Sequence, residues 1–377
     1  MRVAVPREST GERRVALTPQ VVVRIVENRH QVSIESGAGA AAGFDDEEYR
    51  SAGADVSTDP LTGAEVIIIV GPPSVELIER IPSGAVLIGF LDPFAAGPHV
   101  QALIDRRVTS FAMEAIPRTT LAQSMDALSS QATAAGYQAV LTAAVTSPRL
   151  FPMLVTAAGT IPPVKLLVLG AGVAGLQAIA TAKRLGAVVS AYDIRPEVSQ
   201  QIESLGAKFV SAPVDESAAA ASGYAKQVAD ETQRRQQDAL SPHVAESDVL
   251  ITTAQIPGSP APLLVSTEMV ERMRPGSVIV DVAAPTGGNC EPTVPGETIV
   301  LNGVTIVGAV DLAGQVAYDA SQMYARNVAA LLDRMTGEDA ELSLDFDDQI
   351  ISEACITHEG KVNHPVVRRR ISSGGPA

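Results

Sequence analysis

Tryptophan is absent from these 377 residues, and Phe and Tyr together supply only 3% of them. The core must therefore be built from Val, Leu, Ile and Ala. Cysteine is almost missing too. Cys290 and Cys355 are too few for a disulfide framework and lack a metal-ligand spacing, so they read as free thiols in a reducing compartment, and no metal site is expected. No run of about 18 uninterrupted apolar residues occurs, so no segment is expected to span a membrane. The start, Met1-Arg2-Val3-Ala4-Val5-Pro6, reads as a first strand and not as a signal peptide. Positive charge is also short: 28 Lys and Arg face 43 Asp and Glu, a net charge of −15. That balance argues against nucleic-acid binding, which needs a basic face, and disfavours adsorption to anionic lipid. It suits solubility, or a partner with a basic face.

What is present describes a soluble globular chain, 46% apolar and 19% charged. At roughly 100–200 residues per domain, two domains are expected. Apolar, branched segments at 32–35, 66–70, 85–90 and 109–113 read as strands, with helical patterns at 19–28 and 99–105 between them. Such alternation implies βαβ units and a parallel sheet. A long helical pattern over 121–147 would link this domain to a second set of strands near 164–169, 187–192, 208–210, 248–253, 277–281 and 305–308. A second long helix near 314–335 would carry the chain back, and the C-terminal segment would pack on the first domain. The expected fold is α/β: two Rossmann-like domains with parallel sheets, linked by long helices, with a nucleotide in the interdomain cleft. The domains would be residues 1–127 with 320–377, and residues 128–319.

The second domain opens on a dinucleotide fingerprint. The strand Val164-Lys165-Leu166-Leu167-Val168-Leu169 runs into Gly170-Ala171-Gly172-Val173-Ala174-Gly175, then a helical pattern, a second strand and Asp193. Gly170 permits a tight turn, Gly172 lets a pyrophosphate approach the backbone, and Gly175 allows close packing of helix on strand. The helix N-terminus offers unpaired N–H groups to the phosphates. Asp193 can accept hydrogen bonds from both ribose hydroxyls and would repel a 2′-phosphate, which favours NAD(H) over NADP(H).

Two further stretches stand out. In Arg118 to Gln131, Gln123, Asp126 and Ser129 recur every three residues, which would place them on one helix face. Such a stripe could hold a nicotinamide carboxamide and ribose, with Arg118 pairing to Asp126 or reaching the ring. It could equally be a hydrophilic exposed face. Between 211 and 240 an Ala-rich acidic stretch precedes Ser222-Gly223-Tyr224-Ala225-Lys226, which reads either as a lid or as a passive surface loop.

Residues 1–8, Glu12-Arg13-Arg14-Val15-Ala16-Leu17-Thr18-Pro19 and Glu35-Ser36-Gly37-Ala38-Gly39 resemble the start of the alanine dehydrogenase / transhydrogenase family. The stretch 118–131, Ala157-Ala158-Gly159-Thr160, Gly223-Tyr224-Ala225-Lys226 and Gly287-Gly288-Asn289-Cys290 resemble its proton-translocating transhydrogenase branch, in the NAD(H)-binding first domain. The resemblance runs over nearly the whole chain. It implies that Arg118, Gln123, Asp126 and Ser129 lie on the nicotinamide side, and that Gly172 and Val173 meet the pyrophosphate. Asp193, Ile194 and Arg195 would form the adenosine-ribose site. Gly223 and Tyr224 would belong to a mobile loop that closes over the nucleotide, Tyr224 shielding it from water, with Gln236 on the helix behind. Gln255 takes a nucleotide-contacting position where the family more often has Leu. A homodimer is implied, cytoplasmic and held at a membrane by partner chains that carry an NADP(H)-binding domain and the proton path.

The same family also oxidises alanine, which requires a base for the amine proton and groups that polarise the imine. In that branch a Lys follows the strand at 66–70, a His follows the strand at 85–91, and a catalytic Asp falls at position 285. Here those places hold Gly71-Pro72-Pro73, Asp92 and Pro285, and no Lys precedes Lys165. Arg14 matches the family's substrate-carboxylate Arg but cannot do the chemistry alone; a structural salt bridge is its favoured role. None of the five histidines (30, 99, 243, 358, 364) lies in a recognised motif. Direct hydride transfer between two nicotinamides moves no substrate proton and asks only for near-attack geometry and exclusion of water. A relocated amino-acid dehydrogenase and a non-catalytic NAD-sensing module are the alternatives.

Overall fold

The computed structural model describes residues 1–95, 97–211, 225–256 and 259–372, with the backbone course alone for 225–232. The chain forms two compact units, Met1–Gln131 with Ala313–Ala377, and Ala132–Leu312. No helix among the described residues is long and apolar enough to cross a membrane.

The first unit is built on β1 (Arg2–Val5), β2 (Gln31–Glu35), β3 (Asp55–Ser57), β4 (Val66–Ile68), β5 (Val86–Gly89) and β6 (Thr109–Ala112). The second carries the hairpin β7 (Leu154–Thr156) and β8 (Gly159–Ile161), then β9 (Lys165–Leu169), β10 (Val188–Tyr192), β11 (Lys208–Phe209), β12 (Val249–Thr252), β13 (Val278–Asp281), β14 (Thr298–Leu301) and β15 (Val304–Gly308). The chain then returns to the first unit with β16 (Cys355–His358) and β17 (Lys361–Val362).

The sheets run β17-β16-β6-β5-β4-β1-β2-β3 and β11-β10-β9-β12-β13-β15-β14. They are mostly parallel, as the alternation of strands and helices predicts, with antiparallel pairing towards the edges. β16 lies antiparallel to β6, β17 to β16, and β14 to β15. Two-residue and four-residue antiparallel strands at the edges give too little periodic signal to read in advance. The central strands are fully buried runs such as Val66–Ile68, Val86–Gly89 and Val249–Thr252, as strands covered on both faces must be. Alternate residues feed separate cores on the two faces. Leu166 and Val168 join one cluster and Leu167 and Leu169 another. Ile68 and Ile67 are divided in the same way in the first unit.

The continuous helix expected over 121–147 is interrupted. Residues Thr120–Met125 form a 3₁₀ helix, Asp126 leaves helical geometry at ψ 80°, and the α-helix runs Ala127–Thr146. Asp126 is the reason. Its carboxylate accepts from the Ser129 N–H at 2.9 Å and from the Ser129 hydroxyl at 2.5 Å, which caps the new helix three residues in. Gln123, Asp126 and Ser129 therefore do not share one α-helical face. The return helix is Ala317–Arg334, preceded by a 3₁₀ turn at Gly314–Val316.

Candidate functional site

In the second unit β9 lies between β10 and β12, the place where the strand order reverses and where open α/β sheets leave a crevice at their carboxyl edge. The glycine turn leaves β9 at this point. Gly170 has φ +95°, a conformation that disfavours any side chain, and a Cβ there would come within 2.9 Å of the Ala254 nitrogen. Gly175 is enclosed, since a Cβ on it would lie 1.9 Å from the Gly170 carbonyl oxygen. Gly172 is the opposite case: nothing stands within 4 Å of where its Cβ would be. Gly172 caps the helix Val173–Arg184, whose first-turn N–H groups have no intrahelical partner. Open backbone at the head of a helix fits a pyrophosphate, by the steric and the electrostatic criterion alike.

Beyond β10, Asp193 is buried and holds both the turn and its own neighbour. Its Oδ2 accepts from the Ala171 N–H at 2.7 Å, and Oδ1 accepts from the Arg195 N–H at 2.9 Å. The Arg195 guanidinium adds bonds of 3.0 Å to Oδ1 and 3.1 Å to Oδ2. Burial acts to raise this carboxyl's pKa, but the Arg195 side chain and the two backbone N–H groups outweigh it and hold the pKa below the ordinary aspartate value. Val173, first residue of the helix Val173–Arg184, and Ile194, next to Asp193, expose large apolar side chains. Gln236 is turned to the Tyr192 hydroxyl, to which it donates at 2.8 Å. Gln255 is exposed and donates to the Val282 carbonyl at 3.3 Å. Gly223 and Tyr224 lie outside the described residues.

Three further residues, Thr253, Asp281 and the Asn289 of the Gly287-Gly288-Asn289-Cys290 stretch, support the turn. The Thr253 hydroxyl donates to the Gly170 carbonyl at 2.9 Å. Asn289 pairs with both the N–H and the C=O of Ala254. Asp281 is fully buried and accepts from Thr252, Ala283, Asn289, Cys290 and Thr293. A buried Asp at the end of a strand, eight residues before the Asn of a Gly-Gly-Asn, was the signal available.

In the first unit Arg118 and Gln123 are exposed, and Asp126 and Ser129 are partly buried. Asp126 engages Ser129, and among the described residues no ion pair joins it to Arg118. At the carboxyl edge of the first sheet, Arg14 is held by Glu12 through contacts of 2.8 and 2.6 Å and donates to Gln131 at 2.9 Å. Glu8 accepts from the N–H groups of Val70 and Gly71, and Glu114 from those of Leu91 and Asp92. The Tyr324 hydroxyl donates to the Ile69 carbonyl at 2.6 Å.

Desolvation of the carboxyl raises Glu8 to about 7, and the same cause raises Glu114 to about 7, against the backbone N–H groups that favour the charged forms. The folded chain therefore binds more protons than the unfolded chain between about pH 4.5 and 7. Stability from these groups is full below the unfolded value and is lost as pH rises towards 7. The expected loss is on the order of a few kcal/mol in all. In thermal melts at constant ionic strength, Glu8→Gln/Glu114→Gln should gain on the parent chain steadily from pH 5 to 7.5. A pH-independent difference between the two would contradict this.

Comparison with known proteins matches this chain along almost its full length. The sequence model described as alanine dehydrogenase/PNT, N-terminal domain, covers residues 4–135, and that of the C-terminal domain covers residues 139–365. The chain belongs to the alanine dehydrogenase/PNT family. Within it, the first part of NAD(P) transhydrogenase subunit alpha from Rhodospirillum rubrum is 43% identical over 97% of this chain and 99% of its own. NAD(P) transhydrogenase subunit alpha of Cereibacter sphaeroides is also 43% identical, over 97% of this chain and 71% of its own. The crystal structure of transhydrogenase from Sinorhizobium meliloti superposes with a TM-score of 0.88 at 44% identity, covering 96% of this chain and 100% of that one. The two mostly parallel sheets are thus the family's two-domain α/β fold.

Proposed function

We propose that this chain is the NAD(H)-binding subunit of a proton-translocating NAD(P) transhydrogenase. NADH is the hydride donor, NADP⁺ on a separate NADP(H)-binding domain is the acceptor, and a membrane partner couples the transfer to proton movement. The chain would sit at the cytoplasmic face of that membrane, held by its partners. On the second unit, the open backbone at Gly172 and the head of the helix Val173–Arg184 receive the pyrophosphate, and Asp193 with Arg195 receives the adenosine ribose. Arg118, Gln123, Asp126 and Ser129, with Tyr224 of the covering loop, are assigned by resemblance to orienting the nicotinamide and excluding water. The transfer needs orientation and dryness, and no residue has to move a substrate proton.

One observation carries the choice over amino-acid oxidation. The groups that would hold and deprotonate an amino acid are either committed or missing. Arg14 is tied to Glu12 and Gln131, and Gly71 and Asp92 stand where a base would be, their N–H groups spent on Glu8 and Glu114.

Mixing the chain with NADH, an NADP⁺ analogue and the NADP(H)-binding domain of a relative tests the reading. Hydride transfer that needs all three components is the expected result. Reduction of NAD⁺ by the chain alone with alanine overturns it, and NADH binding without any transfer favours a sensing module. Asp126→Asn and Gln123→Asn should slow transfer at least about tenfold while NADH affinity stays within about threefold, the signature of an interaction made chiefly in the transition state. Asn also caps helices well, so Asp126→Asn keeps the start of Ala127–Thr146.

A homodimer forms part of the proposal, and the hairpin β7–β8 supports it. All six of its residues are exposed; Val155 keeps 74% of its surface open, and the paired Leu154 and Ile161 on the other face are exposed too. An isolated two-stranded hairpin is marginally stable in water, and exposed apolar side chains on both of its faces are stabilised when another chain covers them. Val155→Asp should convert a dimer to a monomer in sedimentation or light scattering. An unchanged mass would remove the hairpin from the interface.

A further inference from the structure

We infer that Thr253 and Asn289 are positioning residues for the dinucleotide: Thr253 and Asp193 clamp a single peptide plane at the centre of the phosphate turn, and Asn289 fixes the loop that carries Thr253. The inference rests on the NAD(H) reading above. The plane is that of Gly170 and Ala171. Its carbonyl accepts the Thr253 hydroxyl at 2.9 Å, and its N–H donates to Asp193 at 2.7 Å. Gly175 closes the third side, because a Cβ there would overlap the Gly170 oxygen. A peptide plane held on its carbonyl and its amide edge cannot rotate without breaking one of the two bonds. The orientation of the turn that meets the pyrophosphate is thereby coupled to the carboxylate that meets the ribose.

Thr253 can act only if its own loop is fixed, and Asn289 fixes it. The Thr253 N–H continues the sheet onto Leu169 at 2.8 Å, but from Ala254 onward strand pairing ends. Asn289 replaces it. Its Oδ1 accepts the Ala254 N–H at 2.9 Å, and its Nδ2 donates to the carbonyls of Ala254 and Pro262, each at 2.8 Å. The side-chain amide thus presents to Ala254 the donor and acceptor pair that a neighbouring strand would present. Asn289 is itself fully buried, and its N–H is anchored on Asp281 at 2.8 Å. Every polar group of the Asn289 side chain is used, so no smaller or differently charged residue reproduces the set.

The experiment compares the full-length parent with Thr253→Val, Thr253→Ser and Asn289→Ala. NADH and NADPH affinities are measured by fluorescence titration, and unfolding is followed by circular dichroism. Thr253→Val keeps the shape and loses the hydroxyl. It should weaken NADH about tenfold, equivalent to about 1.4 kcal/mol, and lower the preference for NADH over NADPH, because Asp193 loses its opposing restraint. Thr253→Ser should stay within about twofold of the parent, and Asn289→Ala should reproduce Thr253→Val. A parent chain that binds no NADH overturns the clamp together with the reading beneath it. A parent that binds NADH while folded Thr253→Val binds it equally well overturns the clamp alone, whatever happens to the melting temperature. Should Asn289→Ala fail to fold, the Thr253 pair decides the question.

Discussion

Gly172→Ala should leave the melting temperature of the free chain within about 1 °C of the parent and weaken NADH binding at least about tenfold, whereas Gly175→Ala should damage both. The difference lies in what surrounds two glycines three residues apart. A methyl group on Gly172 meets no atom of the protein within 4 Å, and its backbone, at φ −74°, is one that alanine adopts freely. The cost therefore arises only when a phosphate needs that space. At Gly175 the methyl would overlap the Gly170 oxygen, so helix and strand must separate before any ligand arrives. Overpacking of this kind costs about 1–3 kcal/mol, or several degrees in a domain of this size. Calorimetry on both variants with and without NADH separates the two effects. A Gly172→Ala chain that binds NADH as tightly as the parent would displace the nucleotide from this turn.

The second large effect is a change of cofactor. Asp193→Asn should weaken NADH about tenfold and strengthen NADPH about tenfold, a shift near a hundredfold in preference. In the parent, the four acceptor sites of the Asp193 carboxylate are filled by Ala171, the Arg195 N–H and the Arg195 guanidinium. A ribose can bind only as the guanidinium, whose side chain is more than half exposed, gives way. Removing the negative charge releases Arg195 for a 2′-phosphate and takes away the repulsion against it. Asn keeps an acceptor for the Ala171 N–H, which separates this effect from loss of the turn. Arg195→Gln added to Asp193→Asn should cancel the gain in NADPH affinity. If NADPH binding does not improve in the single variant, Asp193 is not the discriminating group.

How far the sequence could be read varied with the range of the signal. The unit from Lys165 to Asp193 was legible because strand, turn, helix and strand are contiguous, and each glycine has one local reason to be there. The buried strands at 66–68 and 86–89 were legible for the same reason. The stripe at 123, 126 and 129 misled because a 3₁₀ turn followed by a cap keeps three-residue spacing while abolishing the shared face. Only the direction of the Asp126 carboxylate tells the two apart. Thr253 and Asn289 lie 83 and 119 residues from Gly170 in sequence, and their roles exist only once β9, β12 and β13 lie side by side. The commitment of Arg14 to Glu12 is local, yet its meaning depends on Gln131 and on what replaces the missing base.

The edges of the two sheets carry a consequence for assembly. They end in β17 and β3, of two and three residues, and in β11 and β14, of two and four. A visiting strand would find at most four residues of described edge strand to template on, which makes both sheets poor templates for strand addition. Contacts with another chain are left to side chains, loops and the exposed β7–β8 hairpin.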